Sequence, residues 1–177
     1  MRITLELEPA DIDRFLCALE RSHRLARETE ETDVIEAAKH ALNSLPIGNA
    51  PSYVRKRIVA VQRLILMLED EAWALPQPER GQVLETLVYF SDPEDLIPDD
   101  IEVIGLLDDA IVLEILLRRL RHVMQAYADF RIYCESLAAP AGPAARHARA
   151  RQLAARRDAL RARMRRRAER ECEPAAT

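Results

Sequence analysis

The chain has 177 residues, 49% of them apolar, 5% aromatic and only 4 glycines, a profile that suits one mostly aliphatic, helix-rich core with an appendage. Its net charge of -4 hides an asymmetry: residues 1–143 carry 15 Lys and Arg against 26 Asp and Glu, whereas residues 144–177 carry 11 Arg against 4 acids. No stretch holds the roughly 20 mostly apolar residues a membrane-spanning helix needs, because Arg63 interrupts 59–68 and Asp108, Asp109 and Glu114 interrupt 101–117.

Residues 2–8 alternate, with Ile3, Leu5 and Leu7 on one side and Arg2, Thr4, Glu6 and Glu8 on the other. That period of two predicts a short strand with one buried face. Pro9 then suits the first turn of a helix over 9–29, whose apolar positions include Ile12, Phe15, Leu16 and Leu19. A second helix is expected over 32–45, capped by Thr32, with Val34, Ala37, Ala38, Ala41, Leu42 and Leu45 inward. Pro46, Gly48, Asn49 and Pro51 form a break. A third helix over 52–74 follows, on Val54, Ile58, Val61, Leu64, Ile65 and Leu68. Pro76 and Pro78 break it from a fourth over 79–91. A long fifth helix is expected over 106–137, its core face running from Leu113 through Leu116, Leu117, Leu120, Val123, Met124, Tyr127 and Phe130 to Cys134.

Between the fourth and fifth helices lies YFSDPEDLIPDDIEVIGLLDD, residues 89–109. The order Pro93-x-Asp95-Leu96-Ile97-Pro98-Asp99, then Gly105, then Leu107-Asp108-Asp109, resembles the YkvA family over roughly residues 85–120. The resemblance implies a helix–turn–helix hairpin of no settled activity, in a family some of whose members are regarded as membrane-associated. This chain departs from the pattern at Glu94, Asp100 and Glu102. Three extra carboxylates disfavour insertion into lipid, where each costs about 2–3 kcal/mol at depth.

The hairpin carboxylates have a structural and a chemical reading. Asp95 and Asp99 suit turn and capping bonds beside Pro93 and Pro98, Gly105 suits a close approach or a positive φ, and Asp108 and Asp109 suit the first turn of the fifth helix. Alternatively Asp95, Asp99, Asp108 and Asp109 converge as oxygen ligands for Mg²⁺ or Ca²⁺. No EF-hand spacing supports that arrangement, and the structural reading is the one expected.

Strand, helix, helix over 2–45 is similar to the ribbon–helix–helix layout, with Thr32 to Ala38 like the start of its second helix. Outward Glu6 and Glu8 oppose phosphate, so a DNA-reading ribbon is disfavoured, and the strand is expected either to pair with that of a second copy in a homodimer or to pack on the chain's own helices.

Residues 138–145, AAPAGPAA, read as a linker. Beyond them Arg156, Arg157, Arg161, Arg163, Arg165, Arg166 and Arg167 belong to an arm that has arginine and no lysine. Arginine suits bidentate contact with phosphate or carboxylate, so RNA, an acidic protein surface or the chain's own acidic body are the partners to expect. Anionic lipid is disfavoured because the arm has little apolar face to bury.

Cys17, Cys134 and Cys172 form no CxxC or His-spaced set, which excludes the usual zinc patterns and points to free thiols in a reducing, cytoplasmic setting. His23, His40, His122 and His147 are scattered, with His122 read as a surface residue among Arg118, Arg119 and Arg121. Trp73 is expected in the core or an interface.

The expected fold is therefore all-α: a helical bundle with a Pro/Asp-rich hairpin, one short N-terminal strand and a basic C-terminal helix. It divides into a strand–helix–helix module over 1–45, a helical core over 51–137, the linker and an arginine-rich arm over 146–177. No catalytic residue and no firm cofactor is assigned. The function expected is a non-enzymatic interaction or scaffold protein whose arm meets an acidic partner. The alternatives are a divalent-metal enzyme centred on the hairpin aspartates and a peripheral membrane protein.

Overall fold

A computed structural model describes residues 9–45, 52–92 and 113–172. Every regular element among the described residues is helical. The strand expected at 2–8 and the hairpin residues 93–112 lie outside them. The helices are α1 (Pro9–Glu28), α2 (Glu31–Ser44), α3 (Ser52–Glu69) and α4 (Glu79–Ser91), then α5 over its described part 113–119, α6 (Arg121–Ser136) and α7 (Pro143–Cys172).

α4 is the centre. Val83, Leu84, Thr86, Leu87, Val88 and Tyr89 are all buried, so it has no single apolar stripe, as befits a helix covered on most sides. α1, α2 and α3 pack around it. Hydroxyls at these contacts bond within their own helices: Ser22 Oγ donates to the Ala18 carbonyl and Thr86 Oγ1 to that of Gln82, each at 2.9 Å. Both polar side chains are thereby satisfied inside the core. On α2 the inward set is Val34, Ile35, Ala38 and Leu42, whereas the expected Ala37 is exposed. Thr32 does not cap α2. The N-cap is Glu30, which makes no side-chain capping bond.

α3 ends at Glu69, short of the expected 74. Asp70 is the cause. Its Oδ1 accepts from the backbone N–H of Ala72 and of Trp73, both at 3.0 Å, which closes a side-chain turn in place of another helical one. Ala74 then takes a positive φ of 43°, and Trp73 turns inward to full burial.

The helix expected over 106–137 is kinked among its described residues. Leu120 sits between α5 and α6 with φ -86° and ψ 1°, although backbone bonds from Leu120 to Leu116 and from Met124 to Leu120 continue across it. No Pro or Gly marks the site. Leu120 is almost wholly buried with Leu113 and Val123, while Leu116 joins Ala18 and Tyr89 in a separate cluster, so packing to two surfaces accompanies the bend.

Gly142, at φ 89°, makes the turn into α7, and Pro143 occupies its first position, where no backbone N–H is needed. The basic helix lies on the body, packed chiefly on α6. Leu160 and Met164 are buried in the main core, with Leu153 partly so.

Candidate functional site

The inner arginines of α7 are engaged by the chain itself. Arg161 donates to the carbonyls of Trp73 and Ala74, and its guanidinium carbon stands 5.3 Å from the Trp73 ring centroid. Burial, then the neighbouring Arg157 charge, lowers its pKa. Arg163 pairs with Asp129, and Arg165 Nε lies 3.2 Å from the buried Glu79 carboxylate. Arg149 donates to the carbonyls of Cys134, Leu137 and Ala138, satisfying acceptors that the end of α6 leaves open. Arg167 reaches Gln125, Arg157 pairs with Asp158, and Arg156 lies over the Tyr133 ring.

The outer arginines are different. Arg146, Arg151, Arg166 and Arg170 are exposed and have no ion pair among the described residues. Arg166 and Arg170 are one turn apart and share a face. The arm is thus two surfaces, one docked and one open.

His122 is mostly buried, with its side chain 14% exposed, rather than the surface residue expected. Burial, with Arg121 and then Arg167, holds its imidazole below the ordinary value, even though Glu171 lies 2.9 Å from Nε2. Arg121 Nε also donates to Nε2, at 3.3 Å, and the buried Nδ1 has no hydrogen-bond partner among the described residues. Arg121 also pairs with Glu171, so the end of α7 is fastened to the start of α6.

A second feature is a groove of about 570 Å³ between α3 and α6. Met67, Met124 and Tyr127 line its floor, and Leu66 and Ile132 stand on its lips, 57% and 65% exposed. The Tyr127 hydroxyl is 3.2 Å from both the Leu66 carbonyl and Asp70 Oδ2. Burial, then the charge and hydrogen bond of Asp70, pushes the phenol up to about 12 from 10. A raised acid pKa means that the unfolded chain loses its proton first. Stability is therefore expected to fall as pH rises from about 10 to about 12, by on the order of 2 kcal/mol. Urea titrations across that range check this, and Tyr127→Phe should reduce the slope while leaving neutral-pH stability lower by about 1 kcal/mol for the lost hydrogen bond.

Among the described residues no group of three or more His, Cys, Asp or Glu could hold a metal. The aspartates considered as ligands, Asp95, Asp99, Asp108 and Asp109, lie outside the described residues, as do Pro93, Pro98 and Gly105. Cys134 is a poor nucleophile, since burial followed by Asp70 raises its thiol pKa. No described helix is long and apolar enough to cross a membrane. The docking of α7 and the groove had no single-residue signal. The exposed Leu66, between the inward Ile65 and Met67, and Ile132, two positions from the buried Phe130, are the nearest thing to one.

Residues 81–115 match the family model described as "Protein of unknown function (DUF1232)", a YkvA-like family, in agreement with the resemblance over 85–120. Comparison with curated proteins and with solved structures gives no match.

Proposed function

We propose that this chain, which carries a YkvA-like segment, is a non-enzymatic interaction or scaffold protein whose arginine helix offers its open face to an acidic partner. The observation that carries the reading is the division of labour along α7. Arg161, Arg163 and Arg165 hold the helix in place, and Arg146, Arg151, Arg166 and Arg170 remain exposed without ion pairs among the described residues. A docked helix presents fixed charges, and guanidinium groups pair with carboxylate or phosphate in two-point contacts. An acidic protein surface is favoured over RNA, because α7 carries no Phe, Tyr or Trp beside these arginines to stack on bases.

The test is a salt titration of binding to polyglutamate and to single-stranded RNA. The triple variant Arg151→Gln, Arg166→Gln, Arg170→Gln is expected to bind polyglutamate about tenfold more weakly, at roughly 0.5 kcal/mol per exposed charge. Its thermal stability should match that of the parent. Equal binding by parent and variant would defeat the reading, and stronger binding to RNA than to polyglutamate would move it to nucleic acid.

A further inference from the structure

The open face of α7 has a regular layout. Arg151, Ala155, Ala159, Ala162, Arg166 and Arg170 follow one another at steps of three or four residues, which places them along one side of the helix. All six are exposed. Leu160 and Met164, on the opposite side, are buried in the core. The face is a continuous track with guanidinium groups at both ends and alanine methyls along the line between them. Arg151 and Arg166 are fifteen residues apart, about 22 Å at the helical rise.

The charges choose the occupant. Of the three acids on α7, Asp158 pairs with Arg157 and Glu171 with Arg121. Glu169 alone is set against Arg151, Arg166 and Arg170, none of which has an ion pair among the described residues. The acids that α7 meets on the body, Asp129 and Glu79, are held by Arg163 and Arg165. The face is therefore positive with its acids included. Two copies laid face to face would set six guanidinium groups against two Glu169 carboxylates, so a second copy fits poorly. The backbone chooses the shape. α7 bonds its own interior N–H and C=O groups and offers none to a visitor. An extended chain would leave its peptide groups without partners on this face, whereas a helix brings its own bonded and has the same rise per residue. Alanine side chains let two helix axes approach to about 8 Å.

We infer that this face seats an acidic α-helix of a partner protein, lying along α7. Its small residues meet Ala155, Ala159 and Ala162, and its Asp or Glu residues stand at two places about four turns apart, one against Arg151 and one against Arg166 and Arg170. The inference rests on the reading of α7 as the contact for an acidic partner, and it gives that partner a form and a spacing. The separated charges fix register, and the close contact over the alanines rejects a helix with large side chains on that side.

The probe is a labelled peptide of about six turns, held helical by lactam bridges on its far side, with alanines along its near side and glutamates at both ends of that side. A control peptide of the same charge omits the bridges and carries a central proline, which breaks the helix. Polyglutamate is the third ligand. Fluorescence anisotropy on the full chain is expected to show the helical peptide binding about tenfold more tightly than the proline peptide. This comparison uses the parent chain and does not depend on the folding of any variant. Ala155→Gln, Ala159→Gln and Ala162→Gln together should cancel the tenfold advantage. Polyglutamate binding and thermal stability should stay unchanged, because exposed glutamine is well tolerated in a helix. Equal binding of the two peptides, or indifference of the helical peptide to the three glutamines, overturns the inference, while polyglutamate binding would still uphold the acidic-partner reading. If Arg151→Gln, Arg166→Gln and Arg170→Gln together weaken no ligand, both readings fall. Sedimentation showing a dimer that the three glutamines dissolve also overturns the inference, since the occupant is then a second copy.

Discussion

Replacing Trp73 by alanine is expected to lower stability by about 3–5 kcal/mol, the usual range for an aromatic removed from a core. Trp73 is wholly buried. Its ring centroid lies 5.1 Å from that of Phe130 and 5.8 Å from that of Tyr127, at tilts of 45° and 53°, a spacing at which aromatic pairs attract beyond their buried area. Arg161 covers the ring and bonds the Trp73 carbonyl, so one side chain joins the turn after α3, α6 and α7. Trp73→Phe isolates the packing. The Trp73 Nε1–H is buried without a hydrogen-bond partner among the described residues, so losing it leaves no donor unsatisfied there. The smaller ring should then cost less than alanine, about 1–2 kcal/mol. Urea midpoints at unchanged slope measure both. If alanine and phenylalanine cost the same, the aromatic cluster does not hold these elements together.

The periodic parts of this fold were legible and the punctuation was not. α1, α2 and α4 begin and end within about two residues of the expected boundaries, because apolar spacing and proline breaks both point the same way there. The end of α3 was missed: nothing in the apolar pattern distinguishes Asp70 as a turn former until its Oδ1 is seen accepting from Ala72 and Trp73. The Leu120 kink was missed for a similar reason, as leucine is a good helix former and only its packing bends the chain. Of the seven arginines that stand out by charge as candidate anion contacts, Arg156, Arg157, Arg161, Arg163, Arg165 and Arg167 have partners within the chain, and Arg166 has no ion pair among the described residues. Charge does not say which ones face the body, and Arg161 and Arg166 look identical in sequence although one covers Trp73 and the other is open. The groove was invisible because Leu66 and Ile132 lie off the apolar stripes expected of their helices and meet only when α3 and α6 pack side by side.

Ending the chain after Ala139 is expected to remove most of its stability, because α7 is a structural wall as well as a charged surface. Leu160 and Met164 are buried, and burying side chains of that size contributes about 1.5–3 kcal/mol each. Without α7, Glu79 is left without Arg165, and the carbonyls of Trp73 and Ala74 lose the Arg161 donor. The last carbonyls of α6 lose Arg149. Against a total stability of about 5–15 kcal/mol for a domain, a loss of roughly 5 kcal/mol or more should give a broad, early urea transition and tryptophan emission shifted toward that of exposed indole. Arg161→Met is the companion variant. It keeps a side chain of similar length over Trp73 but donates nothing to the two carbonyls, so it should cost about 1–3 kcal/mol and leave the transition cooperative. A solvated tail makes the opposite forecast, with both variants unfolding where the parent does. That difference also governs how any binding lost on truncation is read. A partner released by removing α7 identifies a contact on α7 only if the shortened chain is still folded, which is why the neutralisation of Arg151, Arg166 and Arg170 tests the open face more cleanly than its removal.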